Sequence, residues 1–223
     1  LITYVNIVGA KTAAILQTGL TLIIGAVGIV LIAAAGITGH AANLEGQYFV
    51  GATTTEMVKN TLAVAVMTPF FFIGFNVIPQ AAEEISASLK NIGRILVLSI
   101  ILAVAFYSFV IGAVGYLMNN ADISLSMQSV GGLVTADAMA KAFNSDMMAK
   151  VLIVGGLCGI ITSWNSFLIG GSRAMYSMAC ANMIPPVFAK LHPRYKTPVN
   201  ALFLLGVITI IAVFFGKKML LWV

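Results

Sequence analysis

The stretch Met67-Thr68-Pro69-Phe70-Phe71-Phe72-Ile73-Gly74-Phe75-Asn76-Val77-Ile78-Pro79 sets two prolines and a glycine inside an apolar run long enough to cross a bilayer. Pro79 has no N–H to offer the carbonyl of Phe75, and Pro69 has none for Ala65. Gly74 accepts backbone angles that other residues resist. A regular helix is therefore hard to sustain here, and carbonyls lose their partners in mid-membrane. Irregular backbone at that depth is tolerated only where protein or a water-lined cavity satisfies it, so an interrupted helix points to a binding site of the kind transporters build. An ordinary proline kink explains the same residues equally well.

The rest of the chain places this stretch in a membrane. Of 223 residues, 60% are hydrophobic and only 9% charged, and the mean hydropathy is +1.03. No soluble domain needs that much apolar surface, whereas a bilayer keeps Asp, Glu, Lys and Arg out of lipid-facing helix centres. A hydrocarbon core takes about 20 helical residues. Polar punctuation separates five such runs, at 12–37, 61–81, 95–118, 148–176 and 199–215, with 1–8 and 219–223 as stubs of neighbouring helices. The fold class expected is all-α: a polytopic transmembrane helical bundle forming one domain over 1–223, with its second helix broken near 72–77. The chain opens on Leu1 and stops at Val223 inside an apolar run, which reads as a fragment of a longer protein.

Charge sets orientation. Lys190, Arg194 and Lys196 crowd one short loop with Arg173 upstream, so that loop is expected in the cytoplasm. Threading the spans through it puts Lys90 and Arg94 inside, and residues 38–60 and 119–147 outside, for seven Lys/Arg inside against five outside. The net charge of +5 therefore reads as topology and lipid head-group contact rather than a nucleic-acid patch. Cys158 and Cys180 give no disulfide framework or zinc spacing, and His40 and His192 have no second ligand nearby, so no metal is assigned. There is no His-Glu-x-x-His, no intramembrane acid pair and no phosphate-cradling glycine loop, so no cofactor and no enzyme activity is expected. In the fourth span Gly155, Gly159 and Ser163, and likewise Thr162, Ser166 and Gly170, recur four apart, a spacing that lets helices approach closely and explains them better than a ligand-facing wall.

Two stretches carry a resemblance to a known family. Phe70-Phe71-Phe72-Ile73-Gly74-Phe75-Asn76, running on to Ala81-Ala82-Glu83-Glu84, resembles the sixth helix of the amino acid–polyamine–organocation (APC) permeases, with its unwound centre and acidic end. Ser172-Arg173-Ala174-Met175-Tyr176-Ser177-Met178-Ala179, Ile184-Pro185-Pro186-Val187-Phe188-Ala189-Lys190 and Thr197-Pro198-Val199-Asn200-Ala201 resemble the end of the eighth helix, the following loop and the start of the ninth. Asn6, Gly9 and Lys11 fit the start of helix five. The resemblance implies helices five to nine of a LeuT-like fold of two inverted repeats. The first four helices, among them the one that receives the substrate carboxylate, would then lie outside this chain.

It also implies roles. Carbonyls around Ile73, Gly74 and Phe75 would accept hydrogen bonds from a substrate ammonium, a pure donor. Phe70 would cover the substrate, Phe167 would wall its side-chain pocket, and Asn76 would be a pocket-side polar group or a helix cap. Glu83 and Glu84 would belong to an inner gate, or snorkel to the interface. Thr162 and Ser163 match a pair that holds an ion in sodium-coupled relatives of the fold, and Lys11 matches a lysine whose ammonium takes that place in proton-coupled ones; alternatively, Lys11 snorkels and helps set orientation. Asn76 stands where the family often has an acid, and no Asn-Pro follows Glu84, which bears on substrate charge more than on fold. The expected activity is secondary active transport of an amino acid or related amine across the plasma membrane, by proton symport or exchange; the alternative is a channel or a structural subunit.

Overall fold

The computed structural model describes residues 2–45, 53–69, 74–75, 77–80, 89–129 and 132–214. Its described elements are helical throughout: α1 (Ile2–Val8), α2 (Ala10–Thr38), α3 (Thr54–Met67), α4 (Val77–Gln80), α5 (Leu89–Leu117), α6 (Asn120–Gln128), α7 (Val134–Phe143), α8 (Asp146–Cys180) and α9 (Val199–Phe214). Short 3-10 turns at Ala41–Leu44 and Pro186–Ala189 join them. Within α2, α5 and α8, the segments Lys11–Thr38, Lys90–Leu117 and Asp146–Cys180 are long and apolar enough to cross a membrane, and α9 supplies a shorter apolar helix of 16 residues. Gly9 separates α1 from α2 at φ +145°, a value that L side chains rarely adopt.

The chain forms two compact units. One holds residues 21–73 and 94–159. Its core joins Leu31 and Ala35 of α2 to Ala113 and Leu117 of α5 and to Ala138 and Met139 of α7, all nearly or fully buried. Small residues let these helices close up. A Cβ on Gly28 would fall inside contact distance of the Phe106 ring, and one on Gly155 would meet Val27 at 3.2 Å. Gly159 likewise faces Ile24. The glycine spacing in α8 therefore serves packing against α2 in this unit, where lipid gives no hydrophobic drive and close contact must hold the helices together.

On α5 the opposite situation holds. Leu98, Ile101, Leu102, Phe109 and Ile111 are between 56% and 72% exposed. Such a surface would be untenable in water; facing hydrocarbon or further helices it carries no such penalty.

Between α5 and α8, Asn120–Gln128 and Val134–Phe143 pack together as the helix pair α6–α7. The Asn119 side chain caps α6 by accepting from Asp122 N–H at 2.8 Å, and Asn144 closes α7 in the left-handed region at φ 49°. Ser126 donates to the Asp137 carboxylate, and Lys141 pairs with Asp122 at 2.6 Å, so two polar ties clasp the pair. The Lys141 ammonium bonded to Asp122 holds that carboxyl below its ordinary range.

The other unit holds residues 1–20, 74–93 and 160–223. Here α1 packs on α9, with Gly206 of α9 lying against Thr3, and the Thr197 hydroxyl donates to the Ile7 carbonyl at 2.9 Å. Ala13, Ala201 and Leu202 are buried in this unit.

Candidate functional site

The apolar run 61–81 does not make a continuous helix. After α3 ends at Met67, Thr68 and Pro69 continue in a 3-10 turn; Gly74 and Phe75 form a turn, and helix resumes at Val77. Gly74 has φ +118°, outside any helical value and open only to glycine at low cost. The physical cause is the one visible in the residues: prolines at 69 and 79 remove donors on either side of a residue that can turn.

The fate of the carbonyls differs from the expectation that they stand free. Val77 N–H donates to Gly74 O at 3.0 Å, and Ile78 N–H donates to Phe75 O at 3.2 Å. The Phe75 carbonyl, which Pro79 cannot serve from four residues on, is served from three. A carbonyl oxygen has two lone pairs, so the bond from Val77 does not by itself exhaust the Gly74 oxygen as an acceptor. Gly74 and Phe75 are both partly accessible. Phe70, Ile73, Asn76, Glu83 and Glu84 lie outside the described residues.

The remaining expected site residues are spread over α2 and α8. Lys11 is exposed in the first turn of α2. Thr162 is buried and its neighbour Ser163 exposed. Phe167 is 48% exposed, a partly open ring on α8.

What the structure brings together is a chain of amides. Asn6 of α1 donates through Nδ2 to Asn165 Oδ1 at 2.7 Å and to Ile2 O at 3.0 Å. Asn165 in turn donates through Nδ2 to Gln17 Oε1 at 2.9 Å and, at 3.4 Å, to Ala13 O, and Gln17 Nε2 donates to Ser166 Oγ at 3.0 Å. Asn165 is fully buried and Asn6 nearly so. This seam ties α1, α2 and α8 with every bond running the same way, from Asn6 to Ser166. Sequence reasoning noted Asn6 and Ser166 but passed over Gln17 and Asn165. The signal that would have found them is their side chains: an amide deep in an apolar run is costly unless partnered. Among the described residues no group of His, Cys, Asp and Glu could hold a metal.

Comparison with known proteins agrees with this architecture. The sequence profile of the family described as amino acid permease matches residues 1–220. The chain is 28% identical over 163 residues to cationic amino acid transporter 7, chloroplastic, of Arabidopsis thaliana, covering 70% of this chain and 26% of that protein. It is 27% identical over 157 residues to the methylthioribose transporter of Bacillus subtilis, covering 68% and 31%, and 25% identical over 167 residues to the lysine-specific permease LysP of Escherichia coli, covering 72% and 34%. These relatives are transport proteins rather than enzymes, and the matches span about a third of their length or less. Matched by the profile along nearly its whole length, helical throughout its described elements and interrupted at Gly74, this chain belongs to the amino acid permease family, the APC permeases, and is a membrane protein.

Proposed function

We propose that this chain is the part of a secondary active transporter for an amino acid or related amine that supplies one wall of its substrate site, at the interruption around Gly74. The observation that carries the reading is the turn at Gly74–Phe75, with Gly74 at φ +118°, in the middle of an apolar run. Backbone carbonyls are acceptors, and an ammonium group is a pure donor. The family resemblance extends the proposal to Phe70, Ile73, Asn76 and Phe167 as substrate-site residues, to Glu83 and Glu84 as an inner gate, and to the plasma membrane as the location. Membership of the permease family and the names of the relatives support amino acids as the substrate class.

Proton coupling is the second half of the proposal. Lys11 and Thr162 belong to the same compact unit, on α2 and α8, as does Ser163. The Lys11 ammonium, held beside Thr162 and Ser163 in one conformation and not in the other, would supply the differential interaction that a population shift requires.

The test uses the full-length protein in liposomes. Labelled amino acid should exchange into vesicles preloaded with the same unlabelled amino acid, saturably. Gly74→Leu should abolish substrate binding while insertion in the membrane is kept. Unchanged affinity in that variant would move the site elsewhere, and non-saturable flux would make the protein a channel.

A further inference from the structure

Residues 147–223 contain seven Lys/Arg and no Asp or Glu. The ion pair of Lys141 with Asp122 lies in the unit of residues 21–73 and 94–159, whereas Lys190, Arg194 and Lys196 belong to the other unit. Lys190, Arg194 and Lys196, all exposed, sit in the loop between the end of α8 at Cys180 and the start of α9 at Val199. The cations of that loop therefore have no protein counter-charge among the described residues.

Nor is the loop shapeless. His192 N–H donates to Thr197 O at 2.9 Å and Lys196 N–H donates back to His192 O at 2.9 Å, closing 192–197 into a tight turn. Inside it the His192 ring nitrogen Nδ1 accepts from the N–H groups of Arg194 and Tyr195, at 3.2 Å each. The Tyr195 ring stacks on His192, and the Arg194 guanidinium lies 5.5 Å from the centre of the Tyr195 ring. Lys196 holds φ 55°, a left-handed value that a lysine adopts only when its surroundings impose it. The turn is pinned to α1 through Thr197 and Ile7, and Asn200 Nδ2 ties α9 to Val187 O at 2.8 Å. Its cations are thus presented from a fixed frame.

Interleaved with them are exposed apolar side chains: Met183 at 70%, Val187 at 51% and Leu191 at 41%. Cations beside exposed apolar groups, at the junction of two apolar helices, suit the boundary between head groups and acyl chains. We infer that the loop around Lys190, Arg194 and Lys196 is a seat for the phosphate-bearing head groups of anionic phospholipids in the adjoining leaflet. The apolar residues enter the acyl boundary, and the cations meet phosphate, Arg194 with its planar fork and the lysines as point charges.

Each basic residue near an anionic surface is worth about a fivefold change in affinity, so removing three should weaken binding by about a hundredfold. The measurement is the affinity of spin-labelled phosphatidylglycerol for the full-length protein in phosphatidylcholine nanodiscs. K190Q/R194Q/K196Q should lose about a hundredfold, while K150Q, at the opposite end of α8, should match wild type. Equal affinity in the triple variant and wild type, or no preference for phosphatidylglycerol over phosphatidylcholine in wild type, overturns the inference. So does full protection against thermal unfolding by excess inorganic phosphate in pure phosphatidylcholine discs, which would make this a soluble-anion site. Should the triple variant not fold, R194Q and K196Q decide singly: a loss of about fivefold each supports the inference and no loss overturns it. None of these readouts depends on transport.

Discussion

Replacing Asn165 by Ala removes the acceptor for Asn6 Nδ2 at 2.7 Å and the donor to Gln17 Oε1 at 2.9 Å. The third contact, to Ala13 O at 3.4 Å, is at the long edge of hydrogen bonding and adds little. Interhelical hydrogen bonds in membranes average about 0.6 kcal/mol and reach about 1.7. Two of them give about 1.2 to 3.4 kcal/mol for Asn165→Ala, and because Asn165 is fully buried a cavity term adds to this. A double-mutant cycle with Asn6→Ala separates the terms, since the cavity appears in the single and double variants alike and cancels in the coupling energy. Steric-trap unfolding of the full-length protein in bicelles should give a coupling of about 0.6 kcal/mol, and no more than about 1.7. Gln17→Leu in the same assay should also destabilise, because it leaves Asn165 Nδ2 only the weak Ala13 contact. A coupling below about 0.3 kcal/mol, the ordinary scatter between independent sites, would refute the seam as an energetic link between α1 and α8.

Further outcomes follow from single contacts. Gly39→Ala drives a Cβ into the Ala35 carbonyl and the Tyr116 ring and should cost about 1–3 kcal/mol, whereas Gly36→Ala, with open space around it, should be neutral or slightly stabilising; relative thermal midpoints check both. Because Lys141 holds the Asp122 carboxyl below its unfolded value, that pair contributes stability above the unfolded carboxylate range and loses it as pH falls through the folded pKa. Both side chains are largely solvated, so Asp122→Asn should remove no more than about 1 kcal/mol of acid-sensitive stability, seen as a flatter unfolding profile below pH ~4. Lys11→Ala should abolish uptake driven by a pH gradient while sparing counterflow at equal pH. Wild-type accumulation in that variant would leave Lys11 an interfacial anchor.

Sequence by itself determined the class and the helices, and it offered the break as one of two readings, beside a proline kink. Apolar runs at 12–37, 95–118, 148–176 and 199–215 overlap α2, α5, α8 and α9 closely, because a bilayer demands a fixed apolar length whatever the neighbours do. A disturbance near Gly74 was legible because proline and glycine act on their own backbone, but the choice between kink and turn was not. Three further things were not legible. The pair α6–α7 was hidden, since its two short helices lie in a mixed segment whose apolar residues, Ala138 and Met139, gain meaning only against Leu31 and Ala113. The bonds from Val77 and Ile78 that occupy the Gly74 and Phe75 carbonyls depend on how the chain turns after the glycine. And the partners of Asn165, one 159 residues away and another 148, are fixed by helix packing alone. Residue type says that a buried amide must find a partner, but only the tertiary structure says which, because hydrogen bonding is a matter of distance and angle between helices that the order of residues does not set.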